Sequence, residues 1–291
     1  MHDPILYKAA VVRRLRDALH HEGFVEIPTP VLRRHAGDRS RPRIPAGHGR
    51  YLRECAGPAL RPNLTRAERI FEIGPCFRPD QCDATHLAEF TMLDLYARGD
   101  SMEYVSALVR QLLSLFYTGR VEHLSIASII KAEFGVDLAT EPEAPLTEML
   151  RARYGLPSDA SSYDCVDKFI KTDVEHSSKG YCLFLEDFPL SHEVRAKRRA
   201  GTVAIAERFE VLIDGVEVIH AYQDEPDIEA FMARARAQHH LGREDELICE
   251  QVKRGVVPRD SAGFAIGIER LCQISYGEQL EIRAFIPSPA F

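Results

Sequence analysis

Residues Arg69 to Tyr96, RIFEIGPCFRPDQCDATHLAEFTMLDLY, restrict the possible folds more than any other stretch. Arg69 to Phe77 and Glu89 to Tyr96 both alternate apolar with polar or small side chains, the period of a half-buried strand. Between them stand Pro79, Asp80, Asp83 and His86. The pattern predicts an antiparallel hairpin with a long polar loop. Arg78 leaves the first strand, His86 sits late in the loop and Phe90 opens the second strand. A guanidinium, an imidazole and a phenyl ring on one hairpin suit a nucleotide, whose phosphate oxygens need cations and whose base needs a flat apolar face. An edge hairpin with a solvated basic loop fits the same residues equally well.

The preceding chain predicts a helix over Ile5 to His21, with Leu6, Ala9, Ala10, Val12, Leu15, Ala18 and Leu19 at helical spacing, Asp3 and Pro4 at its start and Gly23 at its end. FVEIPTPVL then reads as an extended edge segment, because Pro28 and Pro30 cannot donate to a sheet interior. From Arg33 to Arg50 arginine, proline and glycine dominate, the composition of a mobile loop whose arginines either touch phosphate or a partner or are simply solvated. Ser101 to Tyr117 presents Tyr104, Val105, Leu108, Leu112, Leu113 and Phe116 on one helical face. Between Leu124 and Tyr163 the expectation is short helical pieces, broken at Gly135, Pro142, Pro145 and Pro157.

Chemistry returns after Tyr181. YCLFLEDFP reads as a buried strand, and AERFEVLIDGVEVI as two strands joined by a tight turn at Asp214 and Gly215. That turn allows Glu210 and Glu217 to share a face, and paired carboxylates near polyphosphate would hold Mg²⁺, a hard ion that takes few protein oxygens. Solvated strand glutamates are the alternative. Helices are expected over Asp227 to His239 and Glu244 to Arg254. GFAIGIERLCQI, Gly263 to Ile274, predicts a small-residue strand that runs into an apolar helix, so that a ligand can lie close to the backbone at Gly263 and Gly267 with Arg270 in the first turn.

With 37 Lys plus Arg against 44 Asp plus Glu, the 291-residue chain carries a net charge of −7, which excludes a global basic field for capturing nucleic acid. The seven cysteines are scattered without a CxxC pair, so they read as reduced thiols in a cytoplasmic protein. No apolar run approaches the roughly 20 residues of a membrane span, and the amino terminus is too charged for a signal peptide.

Three ordered segments carry a resemblance. GFVEIPTP is similar to the first motif of the class II aminoacyl-tRNA synthetases, FEIGPCFRPD with HLAEFTMLDLY to the second, and GFAIGIERL to the third. ERFEVLIDGVEV is similar to the run that carries the metal glutamates in the lysyl branch, and the chain most resembles the stand-alone relatives that attach lysine to elongation factor P. The resemblance implies an α+β fold, an antiparallel sheet flanked by helices in a single catalytic domain over residues 1–291, with a helical insertion at about 118–179 and no anticodon-binding barrel. It implies a homodimer built on the first motif.

It also implies ATP-dependent formation of an aminoacyl-adenylate. Carried over position by position, Arg78 would neutralise the α-phosphate and the acyl carboxylate, and Asp80 would meet the adenine amine. His86 and Arg270 would contact the outer phosphates, Phe90 would stack on adenine, and Glu210 with Glu217 would hold Mg²⁺. Catalysis would then rest on positioning and charge stabilisation, with Arg78 and Arg270 the catalytic residues. The amino-acid pocket would be formed by Gly57, Asp94, Tyr96, His220, Tyr222, Asp224 and Gly267. Asp94 and Asp224 stand where the lysyl type has Glu, which favours a longer or bulkier cationic amino acid. His220 replaces an asparagine, and Gly57 replaces the glutamate that receives the α-ammonium. The implied acceptor is a protein lysine, as in elongation factor P, or a small amine. Charging of tRNA without an anticodon domain is a second reading. A catalytically silent paralogue is a third, disfavoured by Arg78, Glu210, Glu217 and Arg270 together.

Overall fold

The two alternating segments pair as an antiparallel hairpin, in a computed structural model that describes residues 3–38, 42–79 and 82–287. In chain order, the first part forms α1 (Pro4–His21), β1 (Val25–Glu26), β2 (Leu32–Arg33), β3 (Pro45–Gly47), β4 (Arg50–Leu52), α2 (Gly57–Leu60), β5 (Arg69–Phe77), β6 (Glu89–Arg98) and α3 (Met102–Ser114). The middle supplies β7 (Val121–Ser125), α4 (Ile126–Phe134), α5 (Ala144–Tyr154), α6 (Ser162–Phe169), β8 (Cys182–Glu186), β9 (Arg208–Ile213), β10 (Val216–Gln223) and α7 (Ile228–Ala237). The chain closes with α8 (Arg243–Lys253), β11 (Ser261–Gly267) and α9 (Ile268–Ser275). Two compact units result, Met1–Thr118 with Gly242–Phe291, and Gly119–Leu241.

In the first unit the strands lie in the order β1-β5-β6-β11, antiparallel except for β1 against β5. Asp3 caps α1 through its carboxylate, accepting from Ile5 N at 2.7 Å, and Pro4 occupies the first turn, where its missing N–H costs nothing. The buried stripe of α1 is Val11, Leu15 and Leu19, while Leu6 is 69% exposed, so the packed face is rotated from the one the apolar spacing suggests. Helix α1 is tied to α9 by Lys8 Nζ donating to Glu269 at 2.6 Å and Tyr7 Oη donating to the Ser275 carbonyl at 2.8 Å.

The described residues of the Arg33 to Arg50 stretch, 33–38 and 42–50, are not the mobile loop that its composition suggests. Strands β2, β4 and β3 form a small antiparallel sheet there, and Arg33 and Arg43 are buried. Glu244 binds both guanidiniums, Arg33 at 2.9 Å and Arg43 at 2.8 Å, and Arg43 also pairs with Glu54. Carboxylates distant in sequence therefore explain these arginines, which composition could not reveal.

In the second unit the order is β10-β9-β8-β7, antiparallel except for β7 against β8. Asp214 and Gly215 take positive φ, 52° and 82°, as the tight turn between β9 and β10 requires. Ile130, Leu146, Leu150, Val166 and Phe169 of α4, α5 and α6 bury against Leu183, Leu185 and Leu212. Strand β7 is an addition to the helical insertion expected at about 118–179. Its residues are exposed or half-buried with no apolar alternation, and the parallel ladder with β8 holds it. Among the described residues no helix is long and apolar enough to cross a membrane.

Candidate active site

The first unit carries the cationic residues. Strand β5 delivers Arg78 at its end, and Arg78 N donates to the Ala88 carbonyl at 3.0 Å, closing the neck of the loop. The Arg78 guanidinium carbon lies 5.2 Å from the centre of the Phe90 ring on β6. His86 is exposed, with Nδ1 3.0 Å from Asp83. The backbone N–H of Thr85, then His86, holds the Asp83 carboxyl down to about 2. Arg270 reaches back from α9 and donates to the Thr85 carbonyl at 3.1 Å, so the loop and the third-motif helix are joined. Asp80 lies outside the described residues.

Behind these cations stand buried ion pairs. Arg53 donates to Glu72 at 2.6 Å, and Thr29 donates to the other Glu72 oxygen through N and Oγ1 at 3.0 and 2.6 Å. Glu269, 1% exposed, accepts from Lys8 and from Thr91 N, the residue after Phe90. The acid in the GIER run therefore fixes the strand that carries Phe90. The adjacent arginine drew attention to the run, and the acid gave no separate signal.

Asp94 and Tyr96 lie two apart on β6, facing the same side. Asp94 is buried and accepts from Ala56 N at 2.6 Å, and burial pushes its carboxyl up to about 6 against the pull of that amide. A Cβ on Gly57 would stand 3.0 Å from the Tyr96 hydroxyl, so a side chain there requires Tyr96 to shift. Gly263 has a different reason from the expected close ligand: a Cβ there would lie 2.1 Å from the Leu95 carbonyl of the neighbouring strand. At Gly267 a Cβ would meet only the Arg270 side chain, at 3.6 Å.

The second unit carries the acids. On β9 and β10 the register pairs Glu217 with Leu212 and His220 with Glu210, and it shifts between Glu217 and Ile219. Directly paired residues share a face, and Glu210 and Leu212 are two apart on one strand, so Glu210, Glu217 and His220 all face one side. Without the extra residue, Glu217 and His220 would point to opposite faces. One donor atom from each of the three lies within 4.8 Å of the others, a spacing that fits a divalent cation. Tyr222 and Asp224 follow on the same strand alternation, Tyr222 edge-on to His220 at 5.6 Å and Asp224 buried.

This acidic face has rigid backing. Arg208 pairs with Glu210 and donates to His192 Nδ1 at 2.8 Å and to the His192 carbonyl at 2.9 Å. Its guanidinium lies 4.1 Å from the Phe188 ring centre, and the His192 ring stacks between Phe188 and Tyr163. Burial pushes the Glu210 carboxyl up, but Arg208 and then His220 outweigh it and hold the group well below the usual range. Burial, then repulsion from Glu210 and Glu217, pushes Glu175 up to about 7. Arg208, His192, Glu193 and Glu175 belong to this neighbourhood, and sequence reasoning passed over all four.

The family model described as tRNA synthetases class II (D, K and N) matches residues 1–290. A lysine–tRNA ligase of Chloroflexus aurantiacus is 28% identical over 97% of this chain and 64% of that protein. One of Saccharolobus solfataricus is 24% identical over 96% of the chain and 63% of its own length. The lysylphosphatidylglycerol biosynthesis bifunctional protein of a Mycobacterium species is 24% identical over 99% of the chain and 29% of that protein. The chain thus spans less than two thirds of the length of these curated relatives.

Proposed function

The chain belongs to the class II tRNA synthetases of the D, K and N type, and from that premise we propose that it is an AMP-forming ligase that activates a cationic amino acid with ATP. In this reading the amino-acid carboxylate attacks the α-phosphate of ATP and pyrophosphate leaves. Arg78 neutralises charge on the α-phosphate and the attacking carboxylate, Arg270 and His86 hold the outer phosphates, and Phe90 supports the adenine ring. Stabilisation of developing charge by prearranged donors needs no protein nucleophile. Glu210 and Glu217 would hold Mg²⁺, which when bound supplies charge neutralisation on the phosphates. The observation that carries the reading is the placement of these two carboxylates on one face of paired strands, Glu217 opposite Leu212 and Glu210 two residues from it, within a chain of this family.

Gly57, Asp94, Tyr96, His220, Tyr222, Asp224 and Gly267 are proposed to receive the amino acid. The shortened acids Asp94 and Asp224 leave room for a side chain longer or bulkier than lysine. For the acceptor we infer a protein lysine, such as that of elongation factor P, or a small amine, because a net charge of −7 gives no general attraction for tRNA. Transfer to tRNA is the second reading, favoured by relatives named lysine–tRNA ligases. ATP–pyrophosphate exchange over a panel of lysine, its longer homologues and its N-acylated or methylated derivatives tests the first step. Exchange with ordinary lysine alone refutes the enlarged pocket, and exchange with none of them refutes the ligase. Mass spectrometry of elongation factor P, small amines and tRNA after incubation with enzyme, ATP and the activated amino acid tests the second step. A mass gain on tRNA alone reverses the order of acceptors.

A further inference from the structure

The acidic face holds a ligand that a magnesium site does not call for. His220 stands where the resemblance leads one to expect asparagine, and the shifted register of β10 turns its ring to the same side as both glutamates. His220 Nδ1 lies 3.6 Å from Glu210 Oε1 and 4.0 Å from Glu217 Oε1. Ligand atoms at right angles around an ion bound at about 2.1 Å stand about 3 Å apart, so a movement of about 1 Å brings the three onto one ion.

A second, independent feature lies on the far side of the ring. His220 Nε2 is 3.4 Å from Glu193 Oε2. A carboxylate on the outer nitrogen of a histidine fixes the Nε2–H tautomer and presents the Nδ1 lone pair inward, the usual support of a metal-binding imidazole. Arg208 engages Glu210 through Oε1, the same oxygen that lies 3.6 Å from His220 Nδ1, and so anchors that carboxylate beside the ring. A metal takes the imidazole in its neutral form, and two carboxylates against one guanidinium then leave a negative balance that favours a dication.

We propose that Glu210, Glu217 and His220 form a mixed carboxylate and imidazole site that prefers a first-row transition ion, Mn²⁺ foremost, over Mg²⁺. The proposal rests on the reading that this face holds the cation used with ATP, and it names which cation. Mg²⁺ dehydrates reluctantly and is served by oxygen ligands, whereas an imidazole nitrogen adds affinity for Mn²⁺ and the later divalent ions. Mn²⁺ remains compatible with the two carboxylates and with phosphate oxygens, so the same site still serves phosphate chemistry.

The test uses the full chain, stripped of metal and titrated with MnCl₂ or MgCl₂ alone. Free Mn²⁺ is followed by room-temperature electron paramagnetic resonance, with Mg²⁺ as competitor, and the Mn²⁺-loaded protein is examined by electron spin echo modulation for a directly bound ¹⁴N. We expect nitrogen modulation in the wild type and an Mn²⁺ affinity at least about tenfold above that for Mg²⁺. His220→Asn should remove the modulation and shrink the Mn²⁺ to Mg²⁺ affinity ratio by about tenfold, and Glu193→Gln should keep the modulation while weakening Mn²⁺ by about tenfold. His220→Gln, with circular dichroism, guards against loss of fold. Absence of nitrogen modulation in the wild type, or an unchanged affinity ratio in a folded His220 variant, overturns the proposal. Exchange measured with Mg²⁺ separates the two readings: exchange without nitrogen coupling overturns the metal assignment alone, and nitrogen coupling without exchange under either metal overturns the ligase reading alone.

Discussion

Arg78, His86 and Arg270 stand on or beside a loop, whereas Glu210, Glu217 and His220 stand within paired strands. Long cationic side chains tolerate a pliable base, because a guanidinium can follow a phosphate as it arrives. Short acid and imidazole side chains have little reach, so their backbone must already be in place, and the shifted register of β10 with the Arg208–His192 stack supplies that. Rigidity in the first unit lies one layer back, in the Arg53–Glu72 and Lys8–Glu269 pairs. The contrast predicts that substitutions on the hairpin change chemistry without changing stability, and that substitutions behind it do the reverse.

The largest expected effect breaks or confirms the first half of that contrast. Arg78→Ala and Arg270→Ala should each lower pyrophosphate exchange by about 10³-fold, the scale on which a single charge-stabilising donor acts. Urea unfolding midpoints should barely move, since both side chains are partly exposed. Near-normal exchange in either variant would show that the hairpin does not meet phosphate. Glu72→Ala tests the second half. It leaves Arg53 buried without its carboxylate and removes two bonds from Thr29, so a stability loss of about 3–5 kcal/mol is expected from equilibrium unfolding. A loss below about 1 kcal/mol would mean that this pair is not what holds the hairpin.

Strands β5 and β6 were legible in the sequence because their polar positions recur at strand period, even though both faces are buried at the centre, where Glu72 and Asp94 are held by Arg53 and the Ala56 amide. So was the β9–β10 turn, since Asp214 and Gly215 are residues that tolerate positive φ. The shifted register was not legible. Glu217 and His220 are three apart, a spacing that in a regular strand separates faces, and nothing in the local sequence marks Val218 as the extra residue. The resemblance placed His220 in the amino-acid pocket, but its contact with both glutamates was not legible, and its neighbours Glu193 and Arg208 went unread. Arg33 and Arg43 failed for a related reason, since a buried arginine looks like a solvated one until its carboxylate, here Glu244 or Glu54, arrives from elsewhere in the chain.

Two buried acids sharpen the comparison through pH. Burial pushes both up, and at Asp94 the Ala56 amide does not outweigh it, whereas at Glu210 the Arg208 guanidinium does. Between about pH 4 and 6 the folded chain therefore keeps a proton on Asp94 that the unfolded chain has released, and stability falls as pH rises through that window. The full span is about 2–3 kcal/mol, reached above the folded value. Asp94→Asn can still accept from the Ala56 amide and cannot titrate, so it should flatten the slope of unfolding free energy over this range. An unchanged slope would remove Asp94 as its origin. Glu210 has the opposite sign: its contribution is present above the ordinary carboxylate range and is lost only as pH falls through its depressed value.

Phe90 gives the smallest expected effect and the finest test of the loop half. Its ring already lies 5.2 Å from the Arg78 guanidinium carbon, so it can support adenine on one side while helping to orient the arginine that meets the α-phosphate. Stacking on a base stabilises bound ATP and the transition state alike, and a contact of about 1–1.5 kcal/mol corresponds to about tenfold in KM for ATP with kcat nearly unchanged. If Phe90 acts mainly through Arg78, Phe90→Ala should instead lower kcat and leave KM in place, because the arginine would lose its orientation in the step where charge develops. Phe90→Leu separates these cases: it preserves apolar support but not the ring face, so a selective rise in KM in both variants assigns Phe90 to the base, and a fall in kcat in both assigns it to the arginine.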